Sequence, residues 1–239
     1  MAAIGDSITQ GFGADPAGEV PATHLSWATG HNPHDPVASH YERLIGAGAA
    51  IHDRALNLAV AGTRMAHAPG QAQAAVAAGV EYVTVLMGAN DVCAWSKVWM
   101  TSIPKFEQQF RETVEILSGG LPQANIYILS IPDIYRLWAV LHDDPFVTAA
   151  WGYIRPCRSM FARMNSERDR GKVRERNEAL NKSLERISSE YPNCHFDGHA
   201  VFERAIITDH LGSDSFHPSV TGQKALAEVS WQNGVWPDR

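Results

Sequence analysis

Tyr82-Val83-Thr84-Val85-Leu86-Met87, followed at once by Gly88-Ala89-Asn90-Asp91, decides how the chain folds. The β-branched and apolar run reads as a strand buried on both faces. Polar groups just past the carboxyl end of such a strand face the ligand crevice of an open α/β sheet. On one side, Ala55-Leu56-Asn57-Leu58-Ala59-Val60 is another short apolar run, closed by Ala61-Gly62; on the other, Ile126 to Ile131 is a strand candidate stopped by Pro132. Helical patterns separate these runs. Gln71 to Gly79 is alanine-rich, and a segment opened by Pro104 repeats Phe106, Phe110, Val114 and Leu117 at helical spacing before Gly119-Gly120 ends it. Val173, Asn177, Leu180, Leu184 and Ile187 mark one face of a later helix, and a closing helix is expected from about Ser219 to Ser230. Alternating strands and helices argue for an α/β chain with helices on both faces of a mostly parallel sheet.

The chemistry-bearing residues lie at the two extremities. Ser7 sits in Gly5-Asp6-Ser7-Ile8-Thr9, and the far end carries Asp214-Ser215-Phe216-His217-Pro218. A serine hydroxyl is a weak nucleophile at neutral pH; it needs a base within hydrogen-bond reach and a third group that holds the base in the right tautomer. Asp214 and His217, three residues apart on one turn of backbone, suit those two roles, and Pro218 keeps His217 out of helical geometry. A lone D-x-x-H also arises by chance, so the internal segments matter. Gly62 lets backbone N–H groups approach a ligand closely, and the Asn90 amide is a donor of the kind that stabilises a developing oxyanion. Taken singly, Gly62 is an ordinary turn glycine and Asn90 a loop or cap residue.

In order, Gly5-Asp6-Ser7, Asn57 through Gly62, Gly88-Ala89-Asn90-Asp91 and Asp214 through Pro218 resemble the four blocks of the SGNH hydrolases, also called GDSL esterases and lipases. The blocks bracket nearly the whole chain; the one departure is Ile8 where the family's name implies leucine. The resemblance implies a three-layer α/β/α, flavodoxin-like fold and an acyl-enzyme mechanism. Ser7 would be the nucleophile, Asp214 and His217 would complete the triad, and Ser7, Gly62 and Asn90 would form the oxyanion hole. No cofactor and no metal are implied. An α/β-hydrolase would instead carry its serine in a G-x-S-x-G elbow, and no such pentapeptide occurs.

Composition agrees with a catalytic domain spanning residues 1–239, without repeats or low-complexity linkers. Hydrophobic residues make up 45% and charged residues 19%, which excludes a disordered tail, and a formal charge of −6 offers no basic footprint for nucleic acid. No apolar run approaches the roughly 20 residues of a membrane helix, so no stable membrane insertion is expected. Oligomeric state is not readable. Only Met1-Ala2-Ala3-Ile4 precede the first block, leaving no room for a leader; a removed natural N-terminal segment, with Met1 as an expression start, is the favoured reading over a short first strand.

Cys93, Cys157 and Cys194 make an odd count. A bridge between Cys93 and Cys157 in an oxidising compartment, leaving Cys194 free, stands against three unpaired thiols in a cytosolic enzyme. The Ile131-Pro132-Asp133-Ile134-Tyr135-Arg136-Leu137-Trp138 run and the Cys93 position resemble secreted actinobacterial-type members of the family, which favours the bridge and a secreted or extracytoplasmic location over a cytoplasmic one.

Two stretches break the alternation and are expected to shape the substrate site. Residues 14–40, with Pro16, Pro21, Pro33 and Pro36, read as an extended loop. Residues 132–170 are rich in apolar and aromatic side chains. With Trp95 and Trp99 these either wall an acyl cleft or lid, or form the core of helices covering a sheet edge. Asp6, Trp95 and Trp138 are the candidate substrate-binding residues. Eleven histidines invite a metal, yet His31-x-x-His34 with His40 lacks a cysteine or an H-E-x-x-H helix, and His195 and His199 flank Asp197-Gly198 on an expected strand end and turn, so solvated histidines are expected. The substrate implied is a small-molecule or lipid ester. A lipase or short-chain carboxylesterase comes first, because of the apolar 132–170 segment. Carbohydrate deacetylase, phospholipase or thioesterase activity is the alternative within enzymes, and a non-catalytic binding module the alternative outside them.

Overall fold

The computed structural model describes residues 1–18, 20–34 and 37–234. Pro36 of the expected loop lies outside them. Five strands form one parallel sheet in the order β2-β1-β3-β4-β5: β1 (Ala2–Gly5), β2 (Leu56–Asn57), β3 (Tyr82–Leu86), β4 (Asn125–Ile128) and β5 (Cys194–Phe196). In register, Ala2 and Gly5 of β1 lie opposite Val83 and Leu86 of β3, and Ile126 of β4 lies opposite Cys194. The helices among the described residues are α1 (His40–Gly46), α2 (Ala68–Ala77), α3 (Ala89–Val92), α4 (Ile103–Gly120), α5 (Ile134–Leu141), α6 (Pro145–Ile154), α7 (Arg158–Phe161), α8 (Glu167–Ser188), α9 (Ala200–Glu203) and α10 (Val220–Gln232).

Side chains of a strand alternate between faces, and both faces are apolar here. Ala2, Ile4, Val83, Val85, Ile126 and Ile128 pack in one cluster with Phe106, Phe110, Val114 and Leu117 of α4 and with Val173, Leu180, Leu184 and Ile187 of α8. Ala3, Leu86 and Tyr127 point the other way, against Trp27 and against Leu226 and Ala227 of α10. This is a three-layer α/β/α arrangement. Each buried leucine, valine or phenylalanine in it contributes roughly 1.5–3 kcal/mol. The strand order reverses between β1 and β3, so the crevice at the carboxyl ends of these two strands is where an open α/β sheet takes a ligand.

Several elements differ from the sequence reading. α2 starts at Ala68 and uses Pro69 in its first turn, where a missing N–H costs nothing. β2 pairs over two residues only, because it is an edge strand and Asn57 turns its side chain to Thr9 and Thr29. Residues 132–170 fold largely as helices α5, α6, α7 and the start of α8, in keeping with the helical alternative of the sequence reading and not as a loop. Ile134, Leu137 and Leu141 recur at helical spacing and are buried, as are Val147, Trp151, Met160 and Phe161, whereas Phe146, Tyr153 and Met164 face solvent. The 14–40 stretch is irregular among its described residues apart from a short 3-10 turn at Thr23–Leu25, and Trp27 within it is fully buried. Cys93 and Cys157 are joined by a disulfide that ties α7 to the end of α3, and Cys194 is free and buried. Burial pushes its thiol pKa up to about 12. Among the described residues no helix is long and apolar enough to cross a membrane.

Candidate active site

The first part of the site is the turn after β1. Gln71 of α2 pins the strand end: the Gly5 N–H donates to Gln71 Oε1 at 2.8 Å and Gln71 Nε2 donates to the Gly5 carbonyl at 3.1 Å. A Cβ at Gly5 would lie 2.3 Å from Thr9 Oγ1, so only glycine allows the chain to double back this closely. Asp6 Oδ1 then accepts from the Ile8 N–H at 3.0 Å, while Gln10 N–H donates to Asp6 O and Phe12 N–H to Ser7 O, both at 3.0 Å. These bonds wind the chain into a compact turn with Ser7 at the crevice.

The second part is the loop before α10. Asp214 Oδ1 accepts from the N–H groups of Phe216 and His217, both at 2.9 Å, which leaves Oδ2 for His217 Nδ1 at 2.5 Å. The opposite ring nitrogen, Nε2, lies 3.0 Å from Ser7 Oγ. Serine, imidazole and carboxylate thus form one continuous hydrogen-bonded chain across 210 residues. Burial alone would raise Asp214, but the hydrogen bond and charge of His217, with the N–H groups of residues 217 and 216, outweigh it and hold the carboxyl below its ordinary range. An ionised Asp214 accepts from Nδ1–H, so the proton-accepting face of the imidazole is turned to Ser7.

Two further contacts hold the halves together. Gln223 of α10 donates to the Ile8 carbonyl at 2.9 Å and accepts from the Trp27 N–H at 3.0 Å, clamping the last helix onto the Ser7 turn. Trp151 of α6 donates its indole N–H to the Ser215 carbonyl at 3.2 Å and stacks on Phe161, which meets Phe216 edge-on. Ser215 sits at φ +56°, a left-handed conformation that is strained for a residue bearing a Cβ, and the Trp151 bond helps hold it there.

The other two blocks supply further N–H groups. Gly62 is at φ +77°, which glycine adopts without strain. Among the described residues, neither its N–H nor that of Ser7 has a hydrogen-bond partner. Asn90 Nδ2 donates to the Thr63 carbonyl at 2.9 Å and makes a long 3.4 Å contact with Asp6 Oδ2, so its second N–H is only loosely engaged. Gln10 steadies the Gly62 loop, donating to Ala59 O at 3.1 Å and accepting from the Ala61 N–H at 3.2 Å.

Beside Ser7 and Asn90 opens a cavity of about 50 Å³, lined by Ile8, Ile134, Leu137, Ile206, Phe216 and Leu226 among others. The structure does not bring the expected substrate-binding residues to it. Asp6 is 1% exposed and sealed beneath the Asn90 amide, where burial pushes its carboxyl pKa up to about 7 despite the Ile8 N–H and the neighbouring His217. Trp95 is 62% exposed and stacks under the Arg158 guanidinium. Trp138 lies on α5 between Arg170 and His142, packing as a support and not as a cavity wall. In their place stand residues with little signal in the sequence. Gln71, Thr63 and Gln223 are single polar residues whose partners lie dozens of positions away, and Trp151 was legible only as part of an aromatic-rich stretch.

A model of the family described as GDSL-like lipase/acylhydrolase matches residues 1–229. A search of curated proteins gives no match. Among solved structures, TesA superposes with a TM-score of 0.61 at 16% identity, over 97% of this chain and 96% of that one. Phospholipase A1 from Streptomyces albidoflavus NA297 gives 0.61 at 15% identity over 98% of both chains. The extracellular lipase from Streptomyces rimosus gives 0.56 at 17% identity, also over 98% of both. At these identities the likeness establishes a shared fold.

Proposed function

The chain belongs to the GDSL-like lipase/acylhydrolase family, and on that premise we propose that it cleaves carboxylic esters through an acyl-enzyme on Ser7. The observation that carries this reading is the unbroken chain from Ser7 Oγ to His217 Nε2 at 3.0 Å and from His217 Nδ1 to Asp214 Oδ2 at 2.5 Å. Ser7 Oγ attacks the carbonyl carbon as its proton passes to His217 Nε2, and the charge of Asp214 stabilises the imidazolium. The N–H groups of Ser7 and Gly62 and the Asn90 amide receive the developing oxyanion. His217 then protonates the departing alcohol, and a water molecule, activated by the same imidazole, releases the acid from Ser7.

The adjoining cavity, at about 50 Å³, offers room for roughly four water-sized groups. Its apolar lining supports a short acyl chain, so a short-chain carboxylesterase is the favoured form, ahead of a long-chain lipase. The Cys93–Cys157 bridge supports an oxidising, extracytoplasmic setting.

The test is a chain-length series of nitrophenyl esters, run beside acetylated sugars, a phospholipid and an acyl thioester. Turnover that peaks at short acyl chains and vanishes in Ser7→Ala is expected. Esters cleaved equally well by the Ser7→Ala protein would refute the assignment, and turnover confined to one of the other substrates would move the reading to that class.

A further inference from the structure

The Ser7 cavity has one wall that ester cleavage does not require. Beyond the apolar lining it is closed by the segment following α9, which presents Arg204 and His210. Arg204 is largely shielded from solvent, yet among the described residues no carboxylate pairs with it. Its Nη1 donates to His210 Nδ1 at 2.9 Å and to the Ala205 carbonyl at 3.3 Å, which occupies one end of the guanidinium. The charged group acting on it is another cation, Arg136, whose Nη1 donates to the backbone carbonyls of Glu203 and Arg204. Burial first, and Arg136 second, draw the Arg204 pKa down to about 10.

The nearby acids are otherwise engaged or turned to water. Asp133 lines the same cavity, but its Oδ1 accepts from the N–H groups of Tyr135 and Arg136 at the start of α5, and its Oδ2 faces Arg174 at 3.4 Å. Glu203 and Asp209 are exposed. His210 accepts at Nδ1 from Arg204, so its proton sits on Nε2; burial and the Arg204 charge lower its pKa against the opposing pull of Asp209 and of a backbone hydrogen bond at Ala205. The wall therefore holds an uncompensated guanidinium fork beside an imidazole N–H donor. A shielded cation without an anionic partner is unfavourable, and a planar fork matches carboxylate or phosphate oxygens two at a time.

We propose that Arg204, assisted by His210, binds a carboxylate or phosphate group carried by the ester substrate, so that the enzyme selects anionic esters over neutral ones of the same length. The proposal rests on Ser7 being the nucleophile, because both features face one cavity; the small volume places the anion only a few bonds from the scissile carbonyl.

Two matched substrate pairs test it. Mono-nitrophenyl adipate against nitrophenyl hexanoate puts the anion on the acyl side; hexanoylglycerol phosphate against hexanoylglycerol puts it on the alcohol side. In at least one pair, kcat/KM is expected to favour the anionic member, and Arg204→Gln is expected to lower the anionic-to-neutral ratio about 10- to 100-fold, chiefly through KM. Arg204→Lys should give an intermediate ratio, and the responding pair identifies which side carries the charge. Anionic-to-neutral ratios that are the same in wild type, Arg204→Gln and Arg204→Lys in both pairs would overturn the proposal. Should no ester be turned over, calorimetric titration of the Ser7→Ala protein with adipate and with inorganic phosphate decides. Binding that disappears when Arg204→Gln is added upholds the anion site while the Ser7 reading fails, and no binding, or binding indifferent to Arg204, ends both.

Discussion

Asp214→Asn perturbs the site in a way whose outcome the geometry constrains tightly. In the native loop, Oδ1 accepts two backbone N–H bonds at 2.9 Å, from Phe216 and His217. An asparagine keeps those bonds only by leaving its amide oxygen in place, which sets its NH2 group where Oδ2 faced His217 Nδ1 at 2.5 Å. Two donors cannot share that contact, so Nδ1 becomes the acceptor and the imidazole proton moves to Nε2. Nε2–H then faces Ser7 Oγ, 3.0 Å away, and cannot take its proton. The same tautomer switch in a serine triad costs about 10⁴-fold in kcat, about 5.4 kcal/mol of barrier. The loop geometry survives, so the melting temperature should change by only a few degrees. The assay is kcat for nitrophenyl butyrate beside a thermal melt. Asp214→Ala gives the contrast: it loses the two backbone bonds and more stability, but forces no tautomer. An Asp214→Asn protein that folds normally and keeps a tenth or more of wild-type turnover would refute the reasoning.

Asn90→Ala removes the side-chain donor that the proposed mechanism assigns to the oxyanion while Ser7 and His217 remain paired, and a loss of about 10²- to 10³-fold in kcat with little change in KM is expected from steady-state kinetics. Trp151→Phe keeps the stack on Phe161 but drops the hydrogen bond to Ser215 O; it should cost about 1 kcal/mol, roughly 2–4 °C in a thermal melt, and lower kcat as the His217 loop loosens. Asp6, raised by burial to about 7, holds its proton in the folded state at pH values where the unfolded chain has released it. Between about pH 4 and 7 the native protein therefore binds more protons than the unfolded one, and stability falls as pH rises across that window. Asp6→Asn removes this dependence, so its melting temperature should gain on wild type from pH 4.5 to 7.5; curves that stay parallel would count against a protonated Asp6.

The sheet was legible where strands are buried on both sides. Tyr82 to Leu86 is continuous in apolar and β-branched residues because helices cover both faces. β5 was legible only as a strand end before the Asp197-Gly198 turn: it spans only Cys194–Phe196 at the far edge, and His195 breaks its apolar run. The helical periodicity of Phe106 to Leu117 and of Val173 to Ile187 marked α4 and α8 because one face of each is buried. In residues 132–170 the apolar content was clear but its direction was not. Trp151 and Phe161 turn inward while Phe146 and Tyr153 turn outward, a distinction that depends on where α6 and α7 dock. For the candidate site, the sequence motifs pointed to Ser7, Gly62, Asn90, Asp214 and His217, and folding brings Ser7, Asp214 and His217 into one hydrogen-bonded chain. What holds them was hidden, since the clamps of Gln71 on Gly5 and of Gln223 on Ile8 span 66 and 215 residues and no local pattern announces such pairs. The two candidate tryptophans, Trp95 and Trp138, lie away from the Ser7 cavity for a related reason: aromatic residues near a motif in sequence pack wherever the helix face takes them.

The most direct measurement is covalent labelling with a serine-reactive alkyl phosphonate, read by intact mass and by peptide mapping. One adduct per chain on Ser7 is expected, formed rapidly in wild type, slowly in His217→Ala, and not at all in Ser7→Ala. Labelling that persists in Ser7→Ala, or a wild-type protein that stays unmodified at reagent excess, would contradict a Ser7 activated by His217.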